Sequence, residues 1–106
     1  MIANVVTTQC KPEDDQKFNK WYNSVHIPML MKFKRLKSVF RYKVVPGPDQ
    51  PAQYVAVYYF ATQKAFEAFG ASQELAAAIK EMQGAWGDKI KMVSRVQWEQ
   101  LKAWER

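Results

Sequence analysis

Apolar positions along the chain change their period several times, and each change marks an element. Ile2 to Thr8 is a β-rich run with neither turn residues nor helical spacing, which predicts a first strand partly covered on both faces. Pro12 followed by Glu13, Asp14 and Asp15 predicts a helix start, because proline suits the first helical position and carboxylates complement the positive end of the helix dipole. Phe18, Trp21, Tyr22, Val25 and Met29 then recur at helical spacing and predict one buried helix face. Pro28 has no N–H to donate and disfavours α conformation at Ile27, so a break or kink is expected between Val25 and Ile27. The helix restarts at Pro28, with Leu30, Met31 and Phe33 on its buried side. Val39 to Val45 alternates Phe40, Tyr42 and Val44 with Arg41 and Lys43, the period of a strand that buries its apolar set. Pro46, Gly47, Pro48 and Pro51 predict a loop, and Tyr54 to Phe60, apolar on both faces, predicts a central strand. Thr62 and Ser72 each cap a short helix, ended by Gly70 and Gly84 respectively. Lys89 to Trp98 alternates Ile90, Met92, Ser94, Val96 and Trp98 with Lys91, Arg95 and Gln97, giving a last strand, and a tail presents Leu101 and Trp104.

This order, βαββαβ, predicts one α+β domain over residues 1–106 with a ferredoxin-like fold: a four-stranded antiparallel sheet, helices on one face, first and third strands central. The other sheet face then lies bare and apolar, which is uncomfortable for a monomer. A second copy covering it, sheet to sheet, predicts a two-fold homodimer, with Leu101 and Trp104 reaching onto the partner.

Composition narrows the chemistry. One cysteine, Cys10, excludes an internal disulfide, and one histidine makes a multi-histidine metal cage impossible, so no metal is expected. No apolar run is long enough to span a bilayer and no signal pattern opens the chain, so a cytoplasmic protein without membrane contact is expected. The formal charge of +6 raises nucleic acid as a partner. Lys32, Lys34, Arg35, Lys37, Arg41 and Lys43 form a basic run, but without an interleaved stacking platform, a glycine-rich loop or a helix-turn-helix signal it reads as a solvated face. Nucleic acid is therefore not the expected partner. Arg41 is set apart as a clamp for a carboxylated ligand.

The chemistry concentrates at His26, the side chain whose ordinary pKa lets it take and give a proton near neutrality. Tyr22 lies one helical turn before it, Asn19 precedes Tyr22 on neighbouring surface, and Tyr42, Tyr54, Tyr58 and Tyr59 offer phenols from the strands. An aromatic pocket with a few polar points suits a flat aromatic or polyketide-like compound. Two readings of His26 stand side by side: a proton-transfer group in a cleft, or an imidazole that bonds a carbonyl freed by the proline kink.

Trp21-Tyr22-Asn23-Ser24-Val25-His26-Ile27-Pro28-Met29-Leu30, followed by Arg41-Tyr42 and Tyr54-Val55-Ala56-Val57-Tyr58, resembles the EthD-like family of the dimeric α+β barrel superfamily over nearly the whole chain. That family often has glycine-phenylalanine before the second strand, where Arg35-Leu36-Lys37 stands here. The resemblance implies a homodimer with a small-molecule cleft between helices and sheet. It assigns no reaction, since the superfamily spans cyclases, decarboxylases, cofactor-free monooxygenases and haem enzymes. No cofactor is expected, because the helical ligand position of haem-handling relatives has no obvious counterpart. The expected function is a cofactor-independent acid-base enzyme, a cyclase, decarboxylase or related lyase, acting on an aromatic, polyketide-like or carbonyl compound. His26 would transfer the proton, Tyr22 and Tyr42 would orient the substrate or stabilise an enolate, and Trp21, Asn19, Arg41 and Tyr58 would contact the ligand. The alternative is a non-enzymatic dimer that binds a small ligand.

Overall fold

In the computed structural model, which describes all 106 residues, strands β1 (Ile2–Gln9), β2 (Leu36–Val44), β3 (Gln53–Phe60) and β4 (Lys91–Glu99) form one antiparallel sheet in the order β2-β3-β1-β4. The two central strands are those whose sequences are apolar on both faces, as their patterns require. Helix α1 (Asp15–Trp21), a π turn (Tyr22–His26) and α2 (Ile27–Leu30) pack on one sheet face together with α3 (Gln63–Gly70) and α4 (Gln73–Trp86). The fold is ferredoxin-like α+β. Phe18, Tyr22 and Leu30 from the first helical stretch, Phe69, Ala78 and Trp86 from the last two helices, and Val6, Ala56, Tyr58 and Phe60 from the sheet make up the main core.

Local chemistry sets most of the boundaries. Pro12 opens a short turn into α1. Thr62 Oγ1 accepts from the Ala65 N–H and Ser72 Oγ from the Leu75 N–H, each at 3.1 Å, as capping predicts. The last helix runs through Gly84 and stops at Gly87, whose φ of +57° lies where glycine carries no Cβ penalty. The extra turn is held by Trp86, buried edge-on against Phe18 and Trp21.

The regular α-helix is interrupted close to where Pro28 predicts, and α2 starts at Ile27 with Pro28 in its first turn, but the interruption is a π turn through which the chain stays helical. Ile27 keeps helical angles (φ −61°, ψ −47°), and its N–H bonds the Tyr22 carbonyl five residues back. The reason lies in the buried set Phe18, Tyr22, His26 and Leu30, which recur every four residues. In a straight α-helix each such step drifts about 40° around the axis, so three steps would carry Leu30 off the buried face. The wider turn offsets that drift, and by opening the ladder it accommodates the proline without ending the helix. Met31, expected to be buried, falls just beyond α2 and is exposed.

Both edge strands also differ from expectation. In β2 the period is as predicted but the face is reversed: Arg41 points to the helices, so Phe40, Tyr42 and Val44 lie on the outer face. An arginine occupies the inner position because two asparagine carbonyls and a tyrosine ring receive its charge. In β4 a bulge at Val93, where Thr7 faces Ser94 but Thr8 faces Met92, breaks the single alternation. Met92, Arg95 and Gln97 therefore face the helices, while Ser94 and Trp98 face outward.

Candidate functional site

A cavity of about 550 Å³ opens between the inner sheet face and the helices, and thirteen of its nineteen lining residues are hydrophobic. β1 supplies its floor through Asn4, Val6 and Thr8, the first helical stretch one wall through Tyr22 and His26, and α4 another through Leu75, Ile79 and Met82. Tyr22 and His26, four residues apart across the π turn, both line the cavity.

Three sequence-predicted site residues converge here. Tyr22 Oη and Tyr58 Oη share a 2.5 Å hydrogen bond, and the His26 ring meets the Tyr22 ring edge-on at 4.8 Å between centroids. His26 is 7% exposed, and its Nδ1 is buried without a hydrogen-bond partner, so it does not bond a main-chain carbonyl. Burial, helped by the Arg41 charge, lowers its pKa to about 4 and leaves the imidazole neutral at pH 7. Burial also raises the pKa of both phenols, that of Tyr58 well above its ordinary value, so the pair is fully protonated. Whichever phenol donates within the pair, the hydroxyl that accepts keeps its own proton free for a third group, and the chain polarises that donor.

Four predicted residues lie elsewhere. Tyr42 is on the outer face of the sheet and 54% exposed, so the sheet separates its phenol from His26. Arg41 stands behind the cavity wall, donating through its two terminal nitrogens to Asn19 Oδ1 and Asn23 Oδ1 at 2.8 Å each, with its guanidinium carbon 4.2 Å from the Tyr22 ring centroid. Asn19 is occupied by that bond and by donating to the Asp15 carbonyl. Trp21 donates from its indole N–H to Glu81 Oε1 at 3.0 Å and stacks on the imidazole at 4.9 Å, which fixes the π turn to α4 and backs His26 from outside the cavity. None of these four lines the cavity.

Asn4, Thr8 and Arg95 line it without having been singled out by the sequence. The available signal was in β1, where Asn4 and Thr8 are polar residues at even spacing in an otherwise buried strand. Cys10 is buried at the end of β1 and donates to Asp15 Oδ1 at 3.3 Å; burial first and the carboxylate second push its thiol up to about 12. No set of three or more side chains is grouped to hold a metal ion, and no helix is long and apolar enough to cross a membrane.

The same fold occurs in solved structures of low sequence identity. An ethyl tert-butyl ether d (EthD) family protein from Bacillus halodurans is 18% identical, with a TM-score of 0.72 over 95% of this chain and 100% of its own. A mutant of MhuD with two manganese protoporphyrin IX molecules bound per active site is 12% identical, with a TM-score of 0.73 and full coverage of both chains. A dimeric ferredoxin-like protein from an uncultured marine organism is 11% identical, with a TM-score of 0.69, again over 100% of both. The EthD-like resemblance is thus matched at the level of fold. No curated protein matches the sequence. Residues 1–100 match the profile of DUF4286, described as a domain of unknown function, and the chain belongs to that family.

Proposed function

We propose that this protein is a small-molecule-binding homodimer whose cavities perform cofactor-independent acid-base chemistry on a flat, mainly apolar compound bearing a carbonyl or phenolic oxygen. The observation that carries this reading is the His26 side chain lining an apolar cavity beside the Tyr22–Tyr58 phenol pair. Neutral imidazole accepts the proton of an acidic C–H or phenol, and the free phenolic proton of the pair bonds the oxygen on which negative charge develops. Returning the proton to another atom of the same molecule completes an isomerisation or ring closure; returning it to the carbon that loses carbon dioxide completes a decarboxylation. A base with a pKa of about 4 is weak, so the substrate proton must be correspondingly acidic, as between two carbonyl groups.

Naphthoylacetone, a β-diketone, tests this. Wild-type protein is expected to accelerate exchange of its central C–H with deuterated solvent, followed by NMR. His26→Ala should return exchange to background while the dissociation constant changes less than about threefold, and Tyr58→Phe should slow exchange about tenfold or more. Saturated binding with background exchange in the wild type would sink the catalytic reading and leave the non-enzymatic binder, which the weak basicity of His26 favours.

A further inference from the structure

We infer that the cavity selects an anionic ligand, a flat apolar molecule carrying a carboxylate or an equally acidic oxygen, and that Arg95 is the residue that recognises the charge. The inference rests on reading the cavity as a small-molecule site, and deepens that reading by naming the ligand's charge.

Register supplies the geometry. Arg41, Ala56, Val6 and Arg95 face one another in a single row across β2, β3, β1 and β4. The arginines thus stand at opposite edges of the sheet, with one small and one medium residue between them, and the next row places Tyr58 beside Asn4 and Gln97. At about 4.8 Å per strand the two backbones are roughly 14 Å apart, wide enough for a fused aromatic ring system but too close for either charge to be indifferent to the middle. The phenol pair receives both fields: Arg41 and Arg95 each favour ionisation of Tyr22 and of Tyr58, against the larger effect of burial.

The two arginines are not equivalent. Arg41 is engaged by Asn19, Asn23 and the Tyr22 ring, and lies outside the cavity lining. Arg95 lines the cavity, and no aspartate or glutamate lines it with Arg95. Gln97, its neighbour on the same face, is taken by a reciprocal amide pair with Gln63, whose shorter bond is 2.7 Å. A planar guanidinium at the edge of an apolar cavity, facing no carboxylate across it, offers a two-pronged site for an anionic oxygen pair, while the ring system fills the space toward Leu75 and Ile79. The β4 bulge makes this possible, since without the extra residue at Val93 the strand could not place both Met92 and Arg95 on the inner face.

Naphthoate, its methyl ester and acetonaphthone test the inference by calorimetry or tryptophan fluorescence. The wild type is expected to bind naphthoate about tenfold or more tighter than the ester at low salt, with the preference shrinking as salt rises. Arg95→Met should weaken naphthoate binding about tenfold and leave the ester and ketone unchanged, and Arg95→Lys should retain part of the preference. Arg95 is exposed, so unchanged urea midpoints are expected to show that both variants fold. Equal affinity for acid and ester, or equal losses for both on Arg95→Met, would overturn the charge selection while the cavity reading stands. Failure of all three probes to bind would overturn the cavity reading, and this inference with it.

Discussion

His26 links the site to the stability of the fold. An ordinary imidazole titrates near 6.5, whereas burial, with the Arg41 charge adding to it, holds this one at about 4. Between those values the unfolded chain binds a proton that the folded chain refuses, so stability is complete above about pH 6.5 and falls as the pH drops toward 4. A gap of that size corresponds to about 3 kcal/mol, a large share of the stability of a small domain. Urea unfolding at pH 7 and pH 4.5 is expected to show a loss of about 2–3 kcal/mol in the wild type and a clearly smaller loss in His26→Gln, which has nothing to titrate there. Equal losses in the two proteins would place the acid sensitivity on other groups. The residue itself was legible in the sequence, being the only histidine, on an amphipathic stretch one turn from a tyrosine. Its lowered pKa was not, because the cause is burial under a helix plus a cation from a strand far along the chain.

The first helix shows why elements can be legible while their joints are not. The apolar spacing from Phe18 onward predicts a helix, and a helix forms; Pro28 predicts an end or kink, and what occurs is a π turn that leaves Ile27 in helical conformation. A residue-by-residue rule for proline weighs one missing hydrogen bond and one steric preference, whereas the chain also has to keep Phe18, Tyr22, His26 and Leu30 on one face. Packing prevails, and the π turn is its result. If that is correct, the proline follows from the turn and does not cause it. Pro28→Ala, at an exposed position, is then expected to keep the π turn and the cavity and to change stability by less than about 1 kcal/mol. A crystal structure of the variant checks this: a regular α-helix there would show that the proline imposes the turn. The edge strands give the same lesson. Period can be read from β2 and β4, but the face of β2 depends on Asn19 and Asn23 receiving Arg41, and that of β4 on a bulge that no turn residue announces.

At the scale of the molecule, the reversed β2 and the bulged β4 enlarge the bare face and strengthen the case for a second copy. Phe40, Val57, Val5 and Val96 form one outer row, and Ser38, Tyr59, Ala3 and Trp98 another. The central positions of these rows are shielded by their neighbours, while Phe40 is 51%, Val96 46% and Trp98 54% exposed. Leu101 and Trp104 in the tail are more exposed still, pinned near the sheet only where the Gln100 N–H bonds the Met1 carbonyl. So continuous an apolar face, without a helix over it, matches what a sheet-to-sheet dimer buries, on the order of 800 Å² per partner or more. Trp98→Lys, at an outer-face position that does not line the cavity, separates this from a monomer that tolerates the patch. In an isolated subunit lysine at this half-exposed edge position snorkels and costs less than about 1 kcal/mol, but in a sheet-to-sheet dimer its charge is buried in the interface. Sedimentation at micromolar concentration is expected to find the wild type dimeric and the variant monomeric, with naphthoate affinity retained because the cavity opens on the opposite face of the sheet. A monomeric wild type would refute the dimer; loss of naphthoate binding on dissociation would mean instead that the partner completes the cavity.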